Sequence, residues 1–203
     1  MGYIQEIRET WNNRDDSPEL KAIWHQRLID WRKGEAVVRV DHPVRLDRAR
    51  SVGFKAKEGY IVVRVRLPRG GRLRKKFKGG RKPTKMRRKL ILDMSYQTVA
   101  ERRANKRYLN CEVLNSYFLA QDGKHYWYEV ILVDRVQVSK YPGMEWLADD
   151  SNKGRIYRGL TMSARKTRGL TRKGKGAEKL RPSRRSNWLR RGKQKYVFAT
   201  KRH

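Results

Sequence analysis

Tyr60-Ile-Val-Val-Arg-Val-Arg-Leu67 alternates as a β-strand does, with successive side chains on opposite faces. One face carries Ile61, Val63, Val65 and Leu67, and the other carries Tyr60, Val62, Arg64 and Arg66. The strand runs into a glycine-rich basic loop that begins at Pro68-Arg-Gly-Gly-Arg72 and ends at Met86-Arg-Arg-Lys89. This pattern predicts a rigid, half-buried strand that supports a flexible cationic segment, and phosphate is the inferred partner.

Positive charge is concentrated in two segments of the chain. The 203 residues carry a formal net charge of +32. Residues 64–89 hold 14 basic residues and no acidic one, residues 151–203 hold 19 basic residues and one acidic residue, and the other 124 residues hold 19 of each. A merely soluble protein would mix both signs over its surface. The segregation therefore indicates a neutral body with two cationic arms, which favours a polyanionic partner.

Length and composition predict one domain with extensions, or at most two small domains, and argue against secretion or membrane insertion. No apolar run approaches the roughly 20 residues that span a bilayer. Charges recur from Glu6 onward, unlike those of a signal peptide. The single cysteine, Cys111, excludes an internal disulfide and fits a reducing cytosol. Neither basic segment shows an amphipathic apolar face, so no membrane partner is expected.

Apolar periodicity predicts two helices at the start of the chain. The first should cover residues 2–12, where apolar residues recur at helical spacing. Ser17 and Pro18 are typical of the start of a second helix that ends at Gly34. Its apolar stripe consists of Leu20, Ile23, Trp24, Leu28 and Trp31. Tryptophans at this spacing are more often core residues than stacking platforms for nucleobases.

The rest of the body is predicted to alternate between strands and helices. Residues 36–40 should form a strand, and residues 45–50 one or two helical turns. The next helix should be capped by Ser95 or by Thr98, since Thr98-Val-Ala-Glu101 matches a capping box. Its exposed side should be basic, with Arg102, Arg103, Lys106 and Arg107.

A β-hairpin should follow that helix. Strands over residues 112–119 and 125–133 are joined by Asp122-Gly123, a strong turn signal. The second strand is apolar on both faces and is therefore predicted to be central.

The elements together predict an α+β fold, with helices packed on a small mixed sheet. The body should cover residues 1–150, with a basic loop inserted at about 68–89. Residues 151–203 should form an extended basic arm, and both basic segments should be disordered without a partner.

Signatures of catalysis and metal binding were sought in the sequence. Residues 169–176 nearly match a phosphate-binding nucleotide loop, but Gly176 stands where a hydroxyl must reach magnesium, and no apolar strand precedes it. The four histidines are scattered and Cys111 stands alone, so no zinc spacing exists. Cys111 is better explained as a small apolar filler than as a nucleophile. We expect no catalytic residue, no metal and no cofactor.

Several motifs resemble the fifteen-e family of large-subunit ribosomal proteins of archaea and eukaryotes. The longest is Asp47-Arg-Ala-Arg-Ser-Val-Gly-Phe-Lys-Ala-Lys-Glu-Gly59. Others are Val113-Leu-Asn-Ser-Tyr117, Glu129-Val-Ile-Leu-Val-Asp134, and Tyr157-Arg-Gly-Leu160 with Arg168-Gly-Leu170. The segment Gly174-Lys-Gly-Ala-Glu-Lys-Leu-Arg-Pro-Ser-Arg-Arg-Ser-Asn187 is similar to the archaeal version. The resemblance covers roughly residues 2–191.

This resemblance implies a structural component of the large ribosomal subunit in the cytoplasm, with a body of α/β/α layers. Its implied partners are large-subunit ribosomal RNA and neighbouring large-subunit proteins, and no homo-oligomer is expected. Basic side chains would bind phosphates, and Tyr157 would stack on an unpaired base. Trp188 would either stack on a base or pack locally against Leu189. The candidate RNA-binding residues are Arg45, Arg48, Arg50, Lys55, Lys57, Arg64, Arg66, Arg69, Arg72, Arg74, Lys75, Lys76, Arg81, Lys82, Arg102, Arg103, Arg158, Arg165, Arg168, Arg172, Lys175, Arg184, Arg185, Trp188, Arg190 and Arg191.

Two other classes of protein share some of these features. An RNA-modifying or RNA-cleaving enzyme would need a cofactor pocket or an acid–base pair, neither of which the sequence indicates. A DNA-compacting protein would carry similar basic arms. Competition between ribosomal RNA and duplex DNA distinguishes that class from an RNA-binding protein.

Overall fold

A four-stranded sheet with the order β1-β2-β4-β3 forms the centre of the molecule. The computed structural model describes residues 2–71, 92 and 94–171. The strands are β1 (Val37–Val40), β2 (Tyr60–Pro68), β3 (Cys111–Gln121) and β4 (His125–Asp134). The helices are α1 (Tyr3–Asn12), α2 (Pro18–Lys33), α3 (Leu46–Ser51), α4 (Tyr96–Arg107), α5 (Arg135–Val138) and α6 (Met162–Thr167).

The predicted helix and strand order of the body is confirmed, with one correction to the sheet. All three pairings between neighbouring strands are antiparallel, so the sheet is not mixed. β4 lies between β2 and β3, as its two apolar faces predicted. The hairpin of β3 and β4 turns at Asp122-Gly123, as predicted. The α+β fold and its layers are therefore confirmed.

Two helical layers cover the two faces of the sheet. On one face, Val63, Val65 and Leu67 of β2 pack with the alanines of α4, as the alternation of β2 predicted. On the other face, α2 packs on β3 and β4 through Leu28, Trp31, Leu119, Ala120 and Trp127. α3 lies on this second face and buries Ala49 against Tyr117 and Ile131. Burial of these apolar side chains is the main stabilising term of the fold.

Two β-bulges in β3 change which side chains face each layer. The register with β4 shifts between Val113 and Asn115, and again between Phe118 and Ala120. Val113 therefore packs on the α4 side, whereas Tyr117 packs on the α3 side. Without the extra residue of the first bulge, the two side chains would lie on the same face. Cys111 at the start of β3 is fully buried, and burial raises the pKa of its thiol to about 11.

The start of α4 corrects one sequence prediction. Ser95 is the N-cap, and its hydroxyl accepts a hydrogen bond from the backbone N–H of Thr98. Thr98 lies inside the helix and is buried, so the predicted capping box is wrong. Glu101 is fully buried, where it accepts hydrogen bonds from the hydroxyls of Ser116 and Thr161. Glu101 therefore connects α4 to other parts of the fold and does not cap the helix.

The body extends beyond the predicted boundary at residue 150, and residues 151–171 fold onto it. Ile156 joins the core on the α4 face. Thr161 donates to Glu101 at 2.7 Å, and the N–H of Gly154 donates to the Glu112 carboxylate at 2.7 Å. The sequence placed the boundary of the body too early. Charge composition does not reveal that the buried carboxylates of Glu101 and Glu112 hold the basic residues 151–171 on the body. Residues 72–91 and 172–203, which the sequence predicted to be disordered, lie outside the described ranges.

We expect Glu101→Leu to release residues 154–171 from the body. The buried hydroxyls of Ser116 and Thr161 would lose their acceptor, which costs about 2–4 kcal/mol for two unsatisfied donors. Denaturant unfolding measures this loss, and hydrogen exchange should show lower protection in residues 154–171. Glu9→Leu is the control, because Glu9 is exposed on α1. Equal effects of the two substitutions would contradict the proposed role of Glu101.

Candidate nucleic-acid interface

α3 presents arginines to solvent on a short helix whose other side is buried. Asp47 and Ala49 are buried, whereas Arg48 and Arg50, which alternate with them, are exposed. The guanidinium groups of Arg48 and Arg50 therefore lie on the outer surface of α3, away from the sheet. Among the described residues, neither of these two side chains forms a hydrogen bond or an ion pair. Their charges are therefore available to a partner.

A buried carboxylate fixes the segment that leads into α3. Glu129 of β4 is fully buried and accepts hydrogen bonds from the Val44 N–H, at 3.2 Å, and from the Tyr117 hydroxyl. Burial raises the pKa of Glu129, and these hydrogen bonds together with the charge of Arg64 oppose that rise. The arrangement holds the backbone before α3 against the sheet.

An ion pair fixes the first turn of α3. The Arg45 guanidinium contacts the Asp47 carboxylate at 2.9 Å. Burial alone would raise the pKa of Asp47, but hydrogen bonds from Arg45 and from the Arg48 backbone outweigh burial and lower that pKa. Arg45 also lies 4.6 Å from the centre of the Trp11 ring. Arg45, a predicted phosphate ligand, thus has its contacts within the protein.

Further cations lie around α3. Arg50 lines a shallow pocket together with Arg8 of α1 and the N-terminal residues 2–5. Lys55 and Lys57 follow α3 and are exposed, and the Lys57 ammonium lies 5.3 Å from the Tyr141 ring centre. We define the α3 surface as Arg8, Arg48, Arg50, Lys55 and Lys57. Its shape and charge suit a phosphate backbone.

A second group of cations lies on the opposite helical layer. α4 and α6 are joined through hydroxyl contacts, in which Thr98 lies 3.3 Å from Ser163 and 3.2 Å from Thr167. Both helices expose basic side chains on their outer sides. We define the α4–α6 surface as Arg103, Lys106, Arg165 and Lys166. The two surfaces place exposed cations on both sides of the sheet.

The repeated Arg-Gly-Leu tripeptide forms two equivalent turns beside α6. Gly159 and Gly169 have φ angles of 74° and 73°, a backbone conformation that favours glycine. In each turn, the leucine N–H donates to a carbonyl five residues earlier, as in a Schellman motif. A Cβ atom at Gly159 would lie 2.9 Å from the Arg168 side chain, which donates to the Gly159 carbonyl at 3.2 Å. The hydrogen bond from Arg168 thereby joins the turn at Gly169 to the turn at Gly159.

Arg64 and Arg66 face α2, so the second face of β2 is not open to a ligand. The Arg64 guanidinium stacks 4.4 Å from the centre of the Trp31 ring. Burial lowers the pKa of Arg64, and the charge of Glu129 opposes that shift. Arg66 donates to the carbonyls of Trp31 and Arg32 at the end of α2. The sequence correctly placed both side chains on one face but did not reveal that a helix covers it.

The remaining predicted residues divide by their contacts. Arg69, Arg158 and Arg168 are exposed but donate to backbone carbonyls of the protein. Arg102 is half-buried and lies 5.9 Å from the ring centre of Tyr157, which is 50% exposed. Thirteen of the predicted residues lie outside the described ranges: Arg72, Arg74, Lys75, Lys76, Arg81, Lys82, Arg172, Lys175, Arg184, Arg185, Trp188, Arg190 and Arg191.

Three exposed cations of the two surfaces were absent from the predicted set. These are Arg8, Lys106 and Lys166. Helical periodicity pointed to Lys106, because it lies on the polar side of α4. Arg8 gave no signal, since its proximity to Arg50 depends on the packing of α1 against α3.

Within residues 2–71 and 94–171, no group of three or more histidine, cysteine, aspartate or glutamate side chains lies in position to hold a metal ion. No helix in these ranges is both long and apolar enough to cross a bilayer. The tryptophans of α2 belong to an aromatic row in which Trp31 is buried, as the sequence favoured.

A small three-layer α+β body with exposed cations on both helical layers defines a class of proteins that bind polyanions. The chain belongs to the ribosomal L15e family, because the family model described as Ribosomal L15 matches residues 2–187. The chain is 48% identical over 186 residues to the large ribosomal subunit protein eL15 of Thermoplasma volcanium, covering 90% of this chain and 94% of the relative. It is 46% identical over 184 residues to eL15 of Picrophilus torridus, covering 89% and 94%.

Two double substitutions separate binding cations from structural ones. We expect Arg48→Ala with Arg50→Ala to leave thermal stability unchanged and to reduce the log–log salt slope of RNA binding by about 1.5, because each phosphate contributes about 0.7–0.9.

We expect Arg64→Ala with Arg66→Ala to lower the free energy of unfolding by about 2–4 kcal/mol, since the stacking of the Arg64 guanidinium and the hydrogen bonds of Arg66 are lost. Thermal unfolding and filter binding measure the two effects. A stable Arg64/Arg66 variant with a reduced salt slope would contradict this division.

Proposed function

We propose that the protein is a structural constituent of the large ribosomal subunit and that it binds large-subunit ribosomal RNA. The observation that carries this proposal is its similarity, over nine-tenths of the chain, to proteins named large ribosomal subunit protein eL15. The exposed cations on both helical layers support it independently. The protein thereby supports translation without catalysing a reaction of its own.

Binding would proceed through phosphates and RNA shape. Arginine and lysine side chains of the α3 surface and the α4–α6 surface neutralise phosphates and release counterions, which provides affinity but no reading of sequence. Specificity comes from the shape of the RNA that fits around the folded body. Because the two surfaces lie on opposite sides of the sheet, RNA segments contact the body from both sides. Tyr157, with Arg102 beside its ring, offers an exposed aromatic surface to an unpaired base.

The basic segments extend this interface. Residues 72–91 and 172–203 hold many of the remaining cations and few acidic residues. Chains of this composition gain order from phosphate contacts, which offset their conformational entropy. We propose that both segments thread between RNA helices, that neighbouring large-subunit proteins are the other partners, and that the protein resides in cytoplasmic ribosomes.

The salt dependence of binding tests the contacts of the body with RNA. Six predicted residues of the body are exposed and donate to no protein acceptor in the described ranges: Arg48, Arg50, Lys55, Lys57, Arg103 and Arg165. Their six phosphate contacts alone predict a slope of about −4 to −5 in a plot of log affinity against log salt. Titration of ribosomal RNA with the full chain measures it, and duplex DNA serves as competitor. A slope near −1, or equal competition by duplex DNA, would contradict the proposal.

Co-sedimentation tests the location. The full chain should travel with the large subunit in a sucrose gradient and remain there after a wash with moderate salt. Its presence only at the top of the gradient would contradict the proposal.

A further inference from the structure

The first two helices leave an apolar groove uncovered on the second face of the molecule. α1 and α2 line a cleft of about 420 Å³. Its apolar lining consists of Tyr3, Ile7, Trp11, Leu20, Ile23, Trp24 and Val44. Tyr3 is 65% exposed and Ile23 is 58% exposed, although both lie on the apolar stripes of their helices. The groove is a contiguous feature, unlike the scattered apolar residues of an ordinary surface.

The apolar stripe of α2 is buried at one end only. Leu28 and Trp31 in its second half are each 8% exposed and pack on the sheet. Leu20 and Ile23 in its first half lie beyond the edge of that core. A stripe of this length on a surface helix normally faces a packing partner throughout. The exposed apolar residues in the first half of α2 are therefore suited to pack against another molecule.

The cations of the groove indicate the charge of that molecule. The Arg14 guanidinium lies 5.1 Å from the Trp11 ring centre and 4.9 Å from the Trp24 ring centre, and Arg27 lies 5.7 Å from Trp24. Arg14 Nε is buried and has no hydrogen-bond partner among the described residues. Asp15 forms an ion pair with that atom at 3.6 Å, which is too distant for a hydrogen bond. Glu6 is the one acidic residue of the lining, so a carboxylate that enters the groove beside Arg14 and Arg27 would meet two cations.

The lining favours a peptide over a nucleic acid. A nucleobase stacks on an open aromatic face. The indoles of Trp11 and Trp24 are instead occupied by Arg14, Arg27 and Arg45 and by their edge contact with each other, at 4.9 Å between ring centres. Apart from Glu6 and Thr10 on α1, the surfaces that remain are aliphatic or belong to Tyr3. Aliphatic side chains of a peptide fit such a lining, and an amphipathic helix in a groove is a common mode of recognition.

We infer that the α1–α2 groove binds a segment of a neighbouring large-subunit protein that combines aliphatic side chains with aspartate or glutamate. The inference rests on the proposed function, because the large subunit supplies the neighbour. Aliphatic residues of the segment fill the space beside Ile7, Leu20 and Ile23, and its carboxylate meets Arg14 and Arg27. RNA recognition and protein recognition thus use different parts of the same helical layer.

Photo-crosslinking in the assembled subunit tests this inference. The photoreactive residue p-benzoylphenylalanine replaces Ile23 in one full-length variant and His25 in a matched one, since His25 is exposed on α2 and does not line the groove. We expect position 23 to crosslink to a protein segment that contains aliphatic and acidic residues, and position 25 not to. A crosslink from position 23 to RNA or to a second copy, the same product from both positions, or no product from position 23 would overturn the inference.

A titration of the free protein tests the groove independently of ribosome assembly. The probe is a short helical peptide of leucine and glutamate that carries a fluorescent label, and its binding is followed through the anisotropy of that label. A serine–glutamate peptide of equal charge is its control. We expect only the leucine peptide to bind, and Ile23→Glu to weaken its binding by about tenfold or more, because a buried unpaired carboxylate costs more than about 1.4 kcal/mol. His25→Glu should have little effect.

Equal binding of the two peptides, or equal weakening by the two substitutions, would overturn the proposed groove. Entry of each variant into the large subunit is scored separately by sedimentation. Failure of the wild-type chain to enter the subunit would refute the proposed function, whereas failure of the peptide titration alone would refute only the groove.

Discussion

Two side chains of the central strands, a partly exposed arginine and a fully buried glutamate, organise one side of the molecule. Arg64 of β2 and Glu129 of β4 lie directly opposite each other in the antiparallel register. Arg64 reaches outward to Trp31 of α2, and Glu129 reaches toward Val44 and Tyr117 beside α3. A charged side chain in such a position is costly unless it finds several partners. The contacts of Arg64 and of Glu129 hold α2 and the segment before α3 on the sheet.

The sequence predicted those features that depend on local periodicity. The two apolar faces of β4 placed it in the sheet centre, and the Asp-Gly turn fixed the hairpin. It could not predict features that arise from tertiary partners. The arginines of β2 appeared as an open cationic face, because no local signal shows that α2 returns to cover them. The buried carboxylates Glu101 and Glu112 likewise gave no sign that they hold residues 151–171.

The same limit applies to the candidate interface. Composition located the charge in the chain but could not divide it between the interior and the surface. Arg45 and Arg48 are only three residues apart, yet Arg45 is paired with Asp47 and stacked on Trp11, whereas Arg48 is exposed to solvent. In a strongly basic protein, some arginines serve as structural cross-links because they combine a long apolar stem with several donors. The number of basic residues is therefore a poor measure of the number of phosphate contacts.

The burial of Cys111 has a practical consequence for spectroscopy. Thiolate is the reactive form of cysteine, and a thiol with a pKa near 11 in a fully covered position hardly forms it at neutral pH. Maleimide dyes and nitroxide labels should thus leave the native cysteine untouched. Since it is the single cysteine of the chain, new cysteines on the outer sides of α3 and α6 would each accept one label without any prior removal of the natural thiol. Distances between such labels would report directly on how the two helical layers are held during assembly with RNA.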